Sequence, residues 1–301
     1  MQVIRADHLG MCFGVRDAID LARRHADGAP LTVLGDLVHN DAVLADLRAR
    51  GVAIAHDPSD VKTHTVMVTA HGASERMLAR TRAQGLEVVE ATCPLVHVAH
   101  RAVRTLVCRG YHPVVIGQRG HVEVRGLTDD LDAFDVVLDE RDVMALAEHP
   151  RIGVAAQTTQ PIDRVRKLVA LIRRRFPSSD VHFIDTVCHP TKERQAAADD
   201  LAHRCDVIIV VGGANSNNTR ELVATCQRHC SRVHHVQTES ELRPEWFAGA
   251  AAVGLTAGTS TPDEVIDRVE ARIRLCADAA AEDLPPIEMP TPVADVAERR
   301  R

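Results

Sequence analysis

The chain has 301 residues, of which 45% are hydrophobic and only 2% are aromatic. This length suits two or three domains, and their cores must consist mainly of Val, Leu, Ile and Ala. The net charge of −6 at pH 7 excludes a global basic field of the kind that attracts nucleic acid or an anionic membrane. We therefore expect neither nucleic acid nor a membrane as a partner.

The N-terminal residues and the cysteines indicate a cellular compartment. The first residues contain no long apolar segment, so we expect no signal peptide. No apolar run is long enough to span a bilayer. A cytoplasmic protein is the resulting expectation, and its eight cysteines should then be reduced or bound to a metal rather than paired in disulfides.

Apolar segments rich in β-branched residues recur along the chain and predict strands. Most are continuous rather than alternating, as in parallel strands that are buried on both faces. They cover residues 31–35, 65–70, 86–91, 112–117, 134–139, 152–157, 181–187, 206–213, 232–237 and 251–258. Helical patterns lie between them, among them "RDAIDLARRHA", "HRAVRTLVCRG", "IDRVRKLVALIRRRF", "KERQAAADDLAHRC" and "DEVIDRVEARIRLCA". This alternation predicts an α/β fold.

Three kinds of loop recur in order and indicate a threefold internal repeat. Loops of the first kind begin with glycine directly after a strand ("VLGDLVHN", "VIGQRGHVE", "VVGGANSNN"). Loops of the second kind are polar ("VTAHGAS", "VAAQTTQP", "LTAGTSTP"). The third contains a cysteine and leads into a helix ("GMCFGVRDAI", "ATCPLVHVAH", "DTVCHPTKERQ"). We predict three related α/β domains at residues 1–93, 94–187 and 188–275, with the first strand, "QVIRAD", joining the third sheet. Residues 276–301 are predicted to form a free or docked tail.

The cysteines of the third kind of loop are Cys12, Cys93 and Cys188. A thiolate at the N-terminus of a helix is stabilised there, which suits a metal ligand or a nucleophile, and Pro94 and Pro190 fit a first helical turn. Three buried structural cysteines are the alternative. A zinc ion would usually need a fourth ligand, whereas three thiolates suit a 4Fe–4S cluster with one open iron that can act as a Lewis acid.

The remaining cysteines are interpreted as structural. Cys108, Cys205 and Cys276 lie on or at the ends of helical patterns and are expected in the core. Cys226 and Cys230 have helical i, i+4 spacing and could hold a metal, but a single such pair is a weak signal.

The first two kinds of loop concentrate hydroxyl, amide and imidazole groups at predicted strand ends. Such groups form an anion site that could bind a diphosphate without lysines. Each polar residue has an ordinary explanation by itself, such as a Gly-Asn turn in "GGANSNN". Because these residues occupy equivalent positions of a repeat, however, we expect them to line one cavity. The candidates are His39, His71, His121, Glu123, Thr158, Thr159, Ser216, Asn217, Asn218, Thr219, Thr259 and Ser260.

Glu123 is the one carboxylate placed closely among these groups. On an extended segment it would share a face with His121, which suits a proton relay beside the anion site. The alternative is an exposed loop glutamate that pairs with Arg125.

Nine motifs in this order resemble those of the 4-hydroxy-3-methylbut-2-enyl diphosphate reductase family over about residues 1–275. They are "MCFGVRDAI", "LVHN", "AHG", "ATCPLV", "GHVEVRG", "QTT", "DTVCHPTKERQ", "GGANSNNT" and "TAGTSTPDEVI". The resemblance implies a trefoil of three α/β domains around one central 4Fe–4S cluster. Its ligands would be Cys12, Cys93 and Cys188, which leaves one iron open.

The resemblance also implies the reaction and its residues. An allylic alcohol diphosphate would bind with its hydroxyl at the open iron, and two electrons and two protons would remove that hydroxyl as water, giving isopentenyl or dimethylallyl diphosphate. Glu123 would deliver protons and Thr158 would help orient the hydroxyl end. Since no nicotinamide fingerprint is present, reduced ferredoxin or flavodoxin is the expected electron donor. The diphosphate would be held by His39, His71, His121, Ser216, Asn217, Asn218 and Ser260.

Two positions depart from the family's motifs. Asn217 replaces the second serine of "NSSN", and Val122 replaces the proline of "GHPEV". Two alternatives to the reductase therefore remain: a redox-neutral 4Fe–4S hydro-lyase, and a non-catalytic paralogue that binds a diphosphate or senses iron or oxygen.

Overall fold

The computed structural model describes residues 1–38 and 40–282, with side chains as far as residue 276. Its strands are β1 (Gln2–Arg5), β2 (Leu31–Leu34), β3 (Ala53–Ala55), β4 (Thr65–Val68), β5 (Glu87–Glu90), β6 (His112–Ile116), β7 (Asp135–Val137), β8 (Arg151–Ala156), β9 (Asp180–Phe183), β10 (Val207–Val211), β11 (Val233–Val236) and β12 (Ala252–Ala257). Its α-helices are α1 (Phe13–Ala26), α2 (Asp41–Ala49), α3 (Glu75–Ala83), α4 (Pro94–Cys108), α5 (Val122–Thr128), α6 (Glu140–Ala145), α7 (Ile162–Arg175), α8 (His189–Arg204), α9 (Asn217–Gln227) and α10 (Asp263–Glu282).

The strands form three four-stranded parallel sheets with one shared order. The first sheet runs β3-β2-β4-β5, the second β7-β6-β8-β9, and the third β11-β10-β12-β1. β1 completes the third sheet by pairing in parallel with β12, so the start of the chain returns to its last unit. The predicted α/β architecture with a threefold repeat is confirmed.

Small aliphatic side chains build the three cores. The central strands β2 and β10 are buried at every position, because helices cover both faces of each sheet. α1 packs on the first sheet, α4 on the second and α8 on the third, each through residues spaced three or four apart. One helix at the start of each unit is thereby fixed against its sheet, and this fixes the loop that precedes it.

The repeat extends to individual hydrogen bonds. In each sheet a glycine N–H after the second strand of the order donates to the carbonyl that ends the neighbouring edge strand. These bonds are Gly35 N to Ala55 O, Gly117 N to Val137 O and Gly212 N to Val236 O. The glycine loops therefore leave the three sheets in the same way.

Two differences from the sequence-based expectation concern the fold. The three-residue strand β3 was not predicted, because so short a segment carries no usable period. α10 continues to Glu282, beyond residue 275 where the third domain was expected to end. Most of the predicted tail, residues 283–301, lies outside the described residues. None of the helices in the described part of the chain is long and apolar enough to cross a membrane.

Candidate functional site

Cys12, Cys93 and Cys188 each lie on the connection from the last strand of one sheet to the first helix of the next unit. They are the N-cap residues of α1, α4 and α8, and none of them uses its side chain to cap the helix. The predicted strand–helix junctions are thus present at all three positions. The Cys188 thiol instead donates to Thr191 Oγ1 at 3.0 Å, in the first turn of the same helix.

The backbone of each cysteine is held in the same way. Its N–H donates to a carbonyl of the second, polar kind of loop in the preceding sheet. The three bonds are Cys12 N to Thr259 O (3.1 Å), Cys93 N to Ala70 O (3.0 Å) and Cys188 N to Thr158 O (2.9 Å). The cysteine loops and the polar loops are therefore joined into one layer at the carboxyl ends of the strands.

The three thiols face a common region where the units meet. A Cβ added to Gly14 in the first turn of α1 would overlap Cys93 Sγ, so this sulfur lies against the backbone of the neighbouring unit. The charge of Cys12 contributes to raising the pKa of both Cys93 and Cys188, although burial is the larger cause. Burial takes the pKa of Cys188 to about 11. Burial therefore favours the neutral thiol at Cys93 and Cys188, and a nearby positive charge would favour the thiolate.

The spacing of the triad argues against a single metal ion. Ligands of one tetrahedral zinc ion lie within about 4 Å of one another, because each Zn–S bond is about 2.3 Å. The three sulfurs are not gathered within 4.8 Å, unlike the groups His112/Asp135/His149 and Asp199/His203/His229 elsewhere in the described residues. The chemistry and wider spacing of three thiols fit a cluster with several irons.

Glu123 lies in the first turn of α5, and its side chain is only 1% exposed. The expected extended segment is corrected, because Val122 begins a helix and His121 caps it. Glu123 is also not an exposed partner of Arg125, which instead lies 3.9 Å from Asp129. The sequence did not reveal this, since β-branched Val122 and an isolated glutamate favour an extended loop.

The carboxyl group of Glu123 receives the backbone N–H of Thr158 at 2.6 Å. Burial raises its pKa from 4.5 to about 7, against the opposing effect of the hydrogen bonds from the Thr158 backbone and side chain. The charge of Glu123 also contributes to raising the pKa of Cys93 and Cys188, which places it near the cysteines. A buried carboxyl group that is half protonated near neutral pH is suited to proton transfer.

Two predicted histidines meet between the first and second units. The rings of His71 and His121 are 5.5 Å apart and almost perpendicular. His121 Nδ1 accepts the N–H of Glu123 at 3.1 Å, which links the imidazole to the same helix terminus as the carboxyl group. His39 lies outside the described residues.

The third unit contributes buried polar side chains. Ser216 caps α9 by accepting the Thr219 N–H, and Ser260 is 4% exposed. Asn217 Nδ2 donates to Thr159 Oγ1 of the second unit over 3.4 Å. Asn218 is 2% exposed, and neither atom of its amide has a hydrogen-bond partner among the described residues. Since an unpaired buried amide is costly, Asn218 is the clearest sign of an absent polar ligand.

A cavity of about 560 Å³ opens where the three units meet. Gly35 and Gly72 of the first unit, His121 of the second, and Asn215 and Arg220 of the third lie in its wall. The cysteines and Glu123 are not in this wall. Of the predicted diphosphate-binding residues, His121 lies in this wall.

The comparisons with known proteins agree with this geometry. A family model described as "LytB protein" matches residues 3–274. The chain belongs to the LytB protein family. A relative from Geobacter sp. (strain M21), named 4-hydroxy-3-methylbut-2-enyl diphosphate reductase, is 41% identical over 90% of this chain and 98% of its own. One of the same name from Aquifex aeolicus is 36% identical over 91% of this chain and 96% of its own.

Solved structures of similar proteins have the same architecture. The E-1-hydroxy-2-methyl-but-2-enyl-4-diphosphate reductase from Plasmodium falciparum matches with a TM-score of 0.84 and 27% identity, over 91% of this chain and 87% of its own. A second structure is titled as (E)-4-hydroxy-3-methyl-but-2-enyl diphosphate reductase, the terminal enzyme of the non-mevalonate pathway. It matches with a TM-score of 0.66 and 35% identity, over 91% of this chain and 100% of its own. The three-domain trefoil of the LytB family is confirmed for this chain.

The cysteines outside the triad are separate from this LytB site. Cys205, Cys226, Cys230 and Cys276 are buried, whereas Cys108, which was expected in the core, is exposed. The buried positions of α4 are 96, 99, 102, 103 and 106, so residue 108 falls on another face of the helix. Cys226 and Cys230 Sγ lie near backbone carbonyls, which supports a structural role.

One buried residue of this site was missed by the sequence analysis. Arg194 on α8 is 7% exposed and donates to Gly10 O and Pro190 O, both at 3.0 Å. In "PTKERQ" it is one charge among several, which is typical of a solvated helix face. The signal that could have found it is its helical spacing, four residues before buried Ala198 and seven before buried Leu201.

Proposed function

We propose that this chain reduces 4-hydroxy-3-methylbut-2-enyl diphosphate to isopentenyl and dimethylallyl diphosphate. The allylic C–O bond breaks, two electrons and two protons are taken up, and the hydroxyl leaves as water. The observation that carries the proposal is the convergence of three cysteine N-caps with buried Glu123 in a member of the LytB family. The names of the relatives supply the substrate.

Cys12, Cys93 and Cys188 would hold one 4Fe–4S cluster. Three partly buried thiols that are not gathered as for one ion fit such a group. When bound, the cluster would supply the electrons and, at the iron without a cysteine, a Lewis acid for the hydroxyl. The chain's part is to orient the substrate, exclude water and deliver protons. The division of the chain at 93/94 and 187/188 remains part of this proposal.

The diphosphate would be bound by the polar layer above the cysteines. Asn218 has both amide atoms available there, and Ser216 and the N-terminus of α9 add donors. His71, His121, Asn217 and Ser260 complete the described set, and His39, outside the described residues, is part of the proposal. Binding energy from this end of the substrate would position the allylic carbon at the reactive end.

Glu123 would be the proton donor. The carboxyl group is desolvated, and its pKa of about 7 keeps a large protonated fraction at neutral pH. The Thr158 N–H donates to Oε1, and the Thr158 side chain also hydrogen-bonds to the carboxyl group. Thr158 would thereby help to orient the hydroxyl end of the substrate beside Glu123.

The electrons would come from a one-electron carrier such as ferredoxin or flavodoxin, since no nicotinamide fingerprint is present. A cytoplasmic location is part of the same proposal, because all eight cysteines are unpaired.

The test is anaerobic purification, an assay of iron and sulfide, and turnover with a reduced dye. We expect about four irons per chain and both products, with turnover that stops when the dye is omitted. Turnover without added electrons would indicate the hydro-lyase alternative. A chain that contains the cluster and binds substrate, yet forms neither product, would indicate the non-catalytic paralogue suggested by Asn217 and Val122.

A further inference from the structure

Arg194 joins two of the proposed ligand loops. Its Nε donates to Gly10 O, two residues before Cys12, and its Nη1 donates to Pro190 O, two residues after Cys188. Gly10 and Arg194 are 184 residues apart in the chain. One planar guanidinium thus fixes the relative position of two cysteine loops that belong to different parts of the sequence.

The charge of Arg194 has no carboxylate hydrogen-bonded to it in the part of the chain that the structure describes. Its neighbour Glu193 lies 2.9 Å from His189 instead. This differs from Arg164, which forms an ion pair with Glu221 at 2.6 Å. A buried cation without a counter-charge is costly, so a negative group is expected nearby.

The negative groups with the largest electrostatic effect on Arg194 are thiolates of the triad. Burial lowers the pKa of Arg194, and negative charge on Cys12 and Cys188 raises it. Negative charge at the two sulfurs therefore stabilises the charged form of Arg194, whose guanidinium is fixed to the loops of both cysteines. Glu193 makes a smaller contribution of the same sign.

We propose that Arg194 is a positioning residue of the cluster site, and that its buried positive charge raises the reduction potential of the cluster. The inference rests on the cluster in the proposed function. Reduction adds a negative charge to a group already surrounded by thiolates. A fixed cation in a medium of low dielectric constant stabilises the reduced form more than the oxidised form.

The experiment is an anaerobic redox titration of the iron-loaded, full-length protein, followed by electron paramagnetic resonance, with iron and sulfide assays on each sample. The variants are Arg194→Gln, which removes the charge, and Arg194→Lys, which keeps it with a different donor geometry. Arg164→Gln is the control, because it removes another arginine that bridges two units but whose hydrogen bonds go to Gln160 and Glu221 rather than to a cysteine loop.

We expect Arg194→Gln to have an about tenfold lower ratio of reduced to oxidised cluster at a fixed potential, which is about 59 mV for one electron. Arg194→Lys and Arg164→Gln should stay within about twofold of the unmodified protein, about 18 mV on the same scale. If Arg194→Gln loses its cluster, the test depends on Arg194→Lys. We expect this variant to keep both the cluster and its reduction potential.

Three results would overturn the proposal. They are an unchanged potential in Arg194→Gln, a potential in Arg194→Lys as low as that of the Gln variant, and loss of the cluster from Arg194→Lys, which keeps the charge. Failure of the proposed function would be seen separately, as an unmodified protein that contains no 4Fe–4S cluster.

Discussion

The backbone N–H of Thr158 donates to Glu123 Oε1 at 2.6 Å, while the carbonyl of Thr158 accepts the N–H of Cys188 at 2.9 Å. A single residue thus connects the buried carboxyl group to the loop of a proposed cluster ligand. The proposed proton donor and the proposed redox group are fixed relative to each other through one peptide segment. Movement of this segment would disturb both.

Replacing Glu123 by Gln removes the transferable proton but keeps nearly the same shape and size. We expect kcat to fall by about 10²–10⁴-fold, the usual range for loss of a general acid. Iron content and KM should change little, because Glu123 is not among the proposed ligands. Steady-state kinetics with a reduced dye and an iron assay would check this. Activity within about threefold of the unmodified protein would contradict the assignment.

The pH dependence of turnover should reflect the protonated form of Glu123. Burial raises the pKa of this group to about 7, so the acid is mainly protonated below pH 7 and mainly ionised above it. Activity should therefore fall above about pH 7, by up to tenfold per pH unit, as the proton is lost. Negative charge on nearby thiolates would raise the pKa of Glu123 further, so it can only move this fall in activity to higher pH. A rate that rises with pH from 7 to 9 would show that another group donates the proton.

Asn218 offers a test of the diphosphate site. Since both amide atoms are buried without described partners, Asn218→Ala should lose a charge-assisted hydrogen bond to the substrate. A loss of about 1.5–3 kcal/mol corresponds to roughly 10–100-fold in kcat/KM. Asn218→Asp should lower kcat/KM further, because the negative charge of the introduced carboxylate repels the diphosphate. Asn217→Ser is the control, with an expected change below about threefold. Equal effects in all three variants would contradict a specific role for Asn218.

Cysteine substitutions separate the triad from the remaining thiols. Cys93→Ser should lose the cluster, because a serine hydroxyl is a poor replacement for a thiolate ligand. Cys108→Ser, at the other end of the same helix, should keep it, since Cys108 is exposed. The visible absorption of anaerobically purified protein and its sulfide content provide the measurement. Retention of four irons in both variants would make the triad assignment wrong.

Gly14 tests whether the sulfur of Cys93 is as close to α1 as the structure has it. A methyl group at Gly14 would overlap Cys93 Sγ, so Gly14→Ala should lower the iron content and the melting temperature. Gly28→Ala is the matched control, because its added Cβ would meet only His25 O at 3.8 Å. If the two variants were equally stable and equally loaded, the packing of Cys93 on α1 would be in doubt.

The sequence predicted the features that depend on local patterns. Continuous apolar strands and the helix-starting Pro94 and Pro190 placed all three cysteines at helix N-termini. The repeat of loops predicted three similar units. Local patterns did not predict the helix at Val122, because a β-branched residue beside an isolated carboxylate is also typical of a loop. The burial of Glu123 depends on packing across units, which has no signature in a short segment.

Long-range contacts account for the remaining omissions. The donation from Cys12 N–H to Thr259 O joins the first and last units, and the hydrogen bond from Arg194 to Gly10 O joins residues 184 positions apart. Neither has a spacing that can be recognised in sequence. Cys108 was placed in the core although the period of α4 puts it on another face. Here the helical pattern in the sequence would have given the correct prediction.

The central claim is that three cysteines hold a four-iron cluster with one iron left for substrate. A Mössbauer spectrum of anaerobic, ⁵⁷Fe-labelled protein, recorded with and without 4-hydroxy-3-methylbut-2-enyl diphosphate, tests it most directly. We predict four irons per chain, one of which is distinct and changes its isomer shift when the substrate is added, while the other three stay the same. Four equivalent irons that do not respond to substrate, or a single mononuclear iron, would contradict the claim.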